Sequence, residues 1–237
     1  MSIDNKKRPP VSSITAVLFD LDDTLLDSFY ARVRALQVVF TQAKIVGVKA
    51  ERFLNNLQGS QLKESLELLA ETQNVKIDLF VAYRRAYWFK KPGCIRLYPG
   101  VKKMLDTLKS RGYIMGIVTN KGRDFGFGGS RVGCVYELQE TGIADLFSTV
   151  VGFEDVNMQK PHPQCINLAL HNLGIKPPQA LVVGDSVADI EAARSAGCLS
   201  CRAAWGIASN AADAAGSAAD FIASSPDEVI RIITGNS

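Results

Sequence analysis

Asp20-Leu21-Asp22-Asp23-Thr24 puts three carboxylates and a hydroxyl within five residues. Acids two residues apart, with a hydroxyl two further on, can hold a hard cation, attack an electrophile and move a proton. Asp and Thr also begin helices as caps, and this segment alone leaves both readings open. Ahead of it runs Ala16-Val17-Leu18-Phe19, an apolar stretch that predicts a central strand of a parallel sheet. In such sheets ligands gather beyond the carboxyl ends of the strands.

Three further segments extend the set. Ile114-Met115-Gly116-Ile117-Val118 predicts a second strand, and Thr119 and Asn120 at its end offer a hydroxyl and an amide suited to the oxygens of an anion. Lys160-Pro161-His162-Pro163 follows an irregular stretch, and its prolines would hold one ammonium in place ahead of a helix starting near Pro163. Ala180-Leu181-Val182-Val183-Gly184 predicts a third strand, with Asp185 in the turn and Asp189 entering a helix.

Asp-x-Asp-x-Thr, Thr-Asn, Lys-Pro and Gly-Asp-x-x-x-Asp, in this order and at predicted strand ends, resemble the haloacid dehalogenase superfamily, specifically its branch similar to phosphoglycolate phosphatases. The resemblance implies an α/β fold, a Rossmann-like parallel sheet core with an inserted small α-helical cap. It implies that Asp20 attacks phosphorus and that Asp22 protonates the leaving oxygen and then activates water. Mg²⁺ would be held by Asp20, the backbone carbonyl of Asp22 and Asp185, and Lys160 would add the second positive charge. The Thr119 hydroxyl and Asn120 N–H, with Lys160, would take phosphoryl oxygens, and Asp189 would fix the metal or Lys160. Dehalogenase and phosphonatase relatives lack an acid at the position of Asp22, so the resemblance points to phosphate esters. The implied activity is Mg²⁺-dependent hydrolysis of a small phosphomonoester, phosphoglycolate-like, through an aspartyl-phosphate. A phosphomutase of the β-phosphoglucomutase type is the alternative, and a non-catalytic phosphate-binding regulatory protein the third reading. Asp23 stands where the family usually has glycine, and its side chain is expected to face solvent.

The elements that must position these groups form an interrupted α/β chain. Residues 1–13 read as a tail, 14–27 and 95–237 as the catalytic core, and 28–94 as the cap. Between the first strand and residue 94 the pattern is helical, over Phe29 to Val46, Arg52 to Leu57, Leu62 to Thr72 and Ile77 to Phe89. Specificity is expected in the cap. Gly59 to Ser65 resembles the cap segment that nears the leaving group in phosphoglycolate phosphatase and β-phosphoglucomutase relatives, so Lys63 would meet a substrate anion or else pair with Glu67 along its helix. Arg84, Arg85 and Tyr87 are expected on a solvated helix face. Five glycines between Lys121 and Gly133 make immediate helix formation costly and predict a mobile loop. From it Arg123 or Arg131 could reach substrate and Phe125 or Phe127 cover it, or it could simply lead to a helix near Val135 to Thr141. His162 and His171 read as solvent-facing and as a helix C-terminal residue.

Composition narrows the function classes. A chain of 237 residues, 47% hydrophobic, can bury a substantial core. A net charge of +3, with Lys6-Lys7-Arg8 its only basic run, argues against nucleic acid, and no apolar segment has the length for a membrane span. The expected setting is cytoplasmic, the partner a small phosphorylated metabolite, and the assembly a monomer or homodimer. Five cysteines do not make a disulfide framework, and the Cys198-x-x-Cys201 pair reads as packing at the start of a strand rather than as a redox or zinc site.

Overall fold

The computed structural model describes residues 13–57, 62–90, 93–206 and 219–235. The tail residues 1–12 and the residues Gly59, Ser60 and Gln61 of the segment preceding Lys63 lie outside them. The chain opens with β1 (Ala16–Phe19) and a short β2 (Leu26–Asp27), then four helices: α1 (Phe29–Gln42), α2 (Ala50–Asn55), α3 (Leu62–Thr72) and α4 (Leu79–Trp88). β3 (Arg96–Leu97) returns antiparallel to β2, so one small ribbon closes the point where the chain leaves and re-enters the core. There follow α5 (Val101–Ser110), β4 (Ile114–Val118), β5 (Phe125–Phe127), β6 (Ser130–Val132), α6 (Cys134–Glu140), β7 (Thr149–Val151) and α7 (Gln164–Leu173). The chain ends in β8 (Ala180–Gly184), α8 (Val187–Ala196), β9 (Leu199–Ala203), β10 (Phe221–Ala223) and α9 (Pro226–Thr234).

Six strands form one parallel sheet in the order β10-β9-β8-β1-β4-β7. Burial on both faces explains the uninterrupted apolar runs: alternate residues of β1 serve two cores, Val17 and Phe19 on one side, Ala16 and Leu18 on the other. Val101, Met104, Leu105 and Leu108 of α5 cover the first face, and Ile166, Ala169, Ala192 and Ala193 of α7 and α8 the second. The first core runs on into the helical segment through Leu36, Val39 and Leu66. Strand order steps outward from β1 to β4 and β7, then restarts on its other side at β8, which puts the crevice of such a fold at the ends of β8, β1 and β4.

Local signals set several boundaries. Ser186 and Asp189 form a capping box that starts α8. Ser225, Pro226, two acids in the first turn and a left-handed Gly235 bracket α9. Gly184 is required for close approach, because a Cβ there would lie 2.3 Å from Cγ of Asp189. Gly184→Ala is expected to cost ~1–3 kcal/mol and to lower the melting temperature by about 3–9 °C, which calorimetry would read.

The glycine-rich stretch is not a loop. β5 and β6 pair antiparallel as a hairpin, with Phe127 opposite Ser130. The turn between them is Gly128-Gly129, both at positive φ (57° and 82°), as a two-residue hairpin turn demands. The hairpin lies on α4: Phe125 meets the Trp88 ring edge-on at 5.7 Å, Phe127 stacks on Phe89 at 6.1 Å, and Arg84 sits over both phenylalanines at 4.9 and 4.8 Å. Arg84 is therefore an aromatic-packing residue rather than part of a solvated face.

Candidate active site

Three neighbouring strands deliver the predicted residues to one edge. Asp20 follows β1, Thr119 follows β4 and Asp185 follows β8, and β1 lies between the other two. Lys160 enters from the loop before α7, and its ammonium donates to Asp20 Oδ1 (2.6 Å), Asp189 Oδ1 (2.5 Å) and the Val118 carbonyl (2.9 Å). Its side chain is 3% exposed, so this is a buried cation satisfied on three sides. Asp189 has two tasks: Oδ1 faces Lys160 while Oδ2 accepts from the Ser186 hydroxyl and N–H as part of the helix cap.

Thr119 is buried, and its hydroxyl oxygen accepts from the Lys121 N–H. The Asn120 side chain clamps Lys160 instead of facing the crevice: its amide donates to the Lys160 carbonyl and its oxygen accepts from the Lys160 N–H, each at 3.0 Å. The group with which Asn120 could take a phosphoryl oxygen is thus its backbone N–H. The Thr24 hydroxyl donates to Asp185 Oδ1 at 3.3 Å.

Carboxylate oxygens of Asp20, Asp185 and Asp189 all lie within 4.8 Å of one another. Burial pushes the Asp20 carboxyl up to about 7, with Asp189 adding to the rise and Lys160 opposing it. Burial likewise raises Asp185 well above the carboxylate range, reinforced by Asp20 and Asp189. With all three carboxyls ionised, their charges against one ammonium leave two negative charges, which one divalent cation balances. The donor set therefore fits a hard oxygen-liganded ion, which Asp20 and Asp185 could ligate, because Asp189 is already engaged on both oxygens.

Asp22 is not one of these three carboxylates. Its Oδ1 accepts from Lys121 Nζ at 2.9 Å. Burial would raise its carboxyl, but the Lys121 ammonium and Arg32 guanidinium outweigh that and hold it low. The residue types did not mark Lys121, although it directly follows Thr119-Asn120; nor did they mark Glu137, a charge on the buried stripe Cys134, Glu137 and Leu138 of α6. Lys121 Nζ also meets Glu137 Oε2 at 2.5 Å and the Tyr87 hydroxyl at 2.6 Å, so Tyr87 is buried in this cluster and not on a solvated face.

Asp23 corrects the expectation of a solvent-facing acid. It is 4% exposed, at a φ of 61°, and binds the Arg32 guanidinium of α1, while the Tyr98 hydroxyl donates to it at 3.4 Å. Lys63 lies in α3 with its ammonium 3.8 Å from Glu67, both side chains more than half exposed. Arg123 pairs with Asp155 at 2.8 Å and Arg131 with Asp124 at 2.7 Å, so these arginines brace the hairpin rather than a ligand. His162 and His171 are exposed. Cys198 and Cys201 are buried free thiols pushed up to about 12, the opposite of a reactive pair.

A family model described as haloacid dehalogenase-like hydrolase matches residues 17–203, a span that runs from β1 to the end of β9. The chain belongs to this family. Among curated members, a phosphoglycolate phosphatase of Vibrio vulnificus is 34% identical over 235 residues, covering 93% of this chain and 96% of its own. The pyrophosphatase PpaX of Bacillus velezensis is 34% identical over 195 residues, 82% of this chain and 85% of its own. Among solved structures, that of a predicted phosphoglycolate phosphatase from Haemophilus somnus matches with a TM-score of 0.76 at 26% identity, over 94% of this chain and 99% of the other. The protein is a phosphatase of the haloacid dehalogenase-like family. Among its described residues no helix is long and apolar enough to cross a membrane.

Proposed function

We propose that the protein hydrolyses a small phosphomonoester by transferring the phosphoryl group to Asp20 and then to water, with residues 28–94 acting as a cap. The observation that carries this reading is the buried Lys160, which holds Asp20 and Asp189 together at the end of β1. An ammonium at that place orients the Asp20 carboxylate for in-line attack and offsets its repulsion of a phosphate dianion. Asp22, two residues on and held ionised by Lys121 and Arg32 in the free enzyme, takes up the proton of a phosphate monoanion, passes it to the leaving oxygen and then accepts one from the attacking water. The Thr119 hydroxyl and the Asn120 backbone N–H are the donors for phosphoryl oxygens. Mg²⁺ is the ion we assign to Asp20, Asp185 and the Asp22 carbonyl; when bound it neutralises charge on the transferring phosphoryl group.

Phosphoglycolate is the leading substrate, in line with the name of the Vibrio relative. The PpaX relative favours pyrophosphate as a second reading. Both have small leaving groups that themselves carry negative charge. Phosphate release should be followed on phosphoglycolate, pyrophosphate, sugar phosphates and p-nitrophenyl phosphate, with Mg²⁺ and with chelator. Turnover of one of the two small anionic substrates, at least about ten-fold faster than of sugar phosphates and lost on metal removal, is expected. Metal-independent turnover, or interconversion of sugar phosphates without phosphate release, would sink the reading.

A further inference from the structure

The buried ion cluster behind Asp22 joins three separate parts of the chain. Lys121 follows the core strand β4, Glu137 lies in α6, and Tyr87 and Lys90 come from the end of α4 and the residues after it. Three oxygens surround the Lys121 ammonium: Asp22 Oδ1 at 2.9 Å and the Tyr87 hydroxyl at 2.6 Å accept hydrogen bonds from it, and Glu137 Oε2 lies 2.5 Å away as an ion pair. Glu137 is held in turn at its other oxygen, where the Tyr87 hydroxyl and Lys90 Nζ both donate at 2.9 Å. The Lys121 side chain is 9% exposed and that of Glu137 4%.

A lysine on a four-carbon stem is ordinarily a mobile charge. Here it is fixed from three directions, and a carboxylate bonded to a fixed ammonium is fixed as well. We propose that Lys121 is a positioning residue for Asp22, and that Tyr87, acting with Glu137, sets Lys121, so that the seating of α4 on the core decides where the Asp22 carboxylate points. This rests on the reading of Asp22 as the group that hands the proton to the leaving oxygen. Proton delivery needs hydrogen-bond reach, and a displacement of about 1 Å can cost on the order of 100-fold in rate. The sensitivity depends on the leaving group. An alkoxide departs poorly without a proton, whereas p-nitrophenolate departs unaided.

That difference separates positioning from mere charge neutralisation. The test measures kcat and KM for an alkyl phosphate (phosphoglycolate) and for p-nitrophenyl phosphate in the native enzyme and in Lys121→Met, Lys121→Arg, Tyr87→Phe and Asp22→Asn. For Lys121→Met we expect kcat on the alkyl ester to fall about 100-fold with KM within about three-fold, and the aryl ester to lose no more than about five-fold. Lys121→Arg should recover part of the loss. Tyr87→Phe, which removes one oxygen from a ring that stays packed, should show the same alkyl-over-aryl skew at about three- to ten-fold. Equal losses on both esters, or none, would reduce Lys121 to a packing ion pair. If Lys121→Met does not fold, Tyr87→Phe decides, and an unchanged alkyl-to-aryl ratio overturns the proposal. Asp22→Asn keeps the two readings apart. Full alkyl turnover in that variant removes Asp22 as the proton donor, whereas its loss there, with Lys121→Met unaffected, removes only the role of Lys121.

Discussion

Asp20→Asn is expected to lower kcat by about 10⁴ or more while leaving the fold as stable as before. The substitution is nearly isosteric, and an amide oxygen can still accept from Lys160 Nζ, which lies 2.6 Å from Asp20 Oδ1. What it removes is a nucleophile: a neutral amide cannot form the acyl phosphate through which the reaction divides into two easier steps. Stability should change by no more than about 1 kcal/mol, because burial already presses Asp20 towards its neutral form, to about 7, and Asn is neutral without a proton. Thermal melts of both proteins and phosphate release on the best substrate would read the two quantities. Turnover that survives the change intact would remove Asp20 from the mechanism.

Lys160→Met should instead cost both stability and activity. Removing the ammonium leaves the Asp20 and Asp189 carboxylates facing each other, with the Val118 carbonyl also deprived of a donor. Breaking a buried ion pair in this way typically costs about 3–5 kcal/mol, and loss of an electrostatic stabiliser on a transferring group about 10²–10³ in rate. The double variant Lys160→Met/Asp189→Asn distinguishes the two effects. Relief of the carboxylate repulsion should return more than half of the lost stability in chemical denaturation, while activity stays low because the ammonium that orients Asp20 and offsets its repulsion of the phosphate is gone. Recovery of activity alongside stability would make Lys160 a structural residue.

A buried ion cluster of a different kind holds the helical segment to the core. Arg32 of α1 reaches Asp23, and Tyr87 and Lys90 reach Glu137 and Lys121. The first tie ends on Asp23, three residues after Asp20, and the second reaches Asp22 through Lys121. Seating of that segment therefore bears directly on the charges around Asp20 and Asp22, which is how closure over a substrate could assemble the site as well as exclude water.

The three central strands and the strand-end placement of Asp20, Thr119 and Asp185 were legible in the residues, because strands buried on both faces must be apolar until they leave the sheet. The four helices between β2 and β3 were legible for a similar reason, their apolar residues recurring at helical spacing, as with the buried Leu36, Val39 and Phe40 of α1. The hairpin was within reach but missed. Five glycines read as helix breakers, whereas Gly128-Gly129 between Phe125-Gly126-Phe127 and Ser130-Arg131-Val132 has the composition of a two-residue hairpin turn.

What the tertiary structure alone decided is which element covers which face and which charge answers which. Asp23 has nothing in its neighbourhood to separate an exposed acid from a buried one; its partner stands nine residues on, in α1. Lys121 finds Asp22 across 99 positions, and Lys160 finds Asp20 across 140. Periodicity records that a face is buried, through the free energy of removing it from water, which is indifferent to the identity of the neighbour. Ion pairs and hydrogen bonds depend on that identity and on its direction, so the residues that surround Asp20 and Asp22 became visible only when the chain had closed around them.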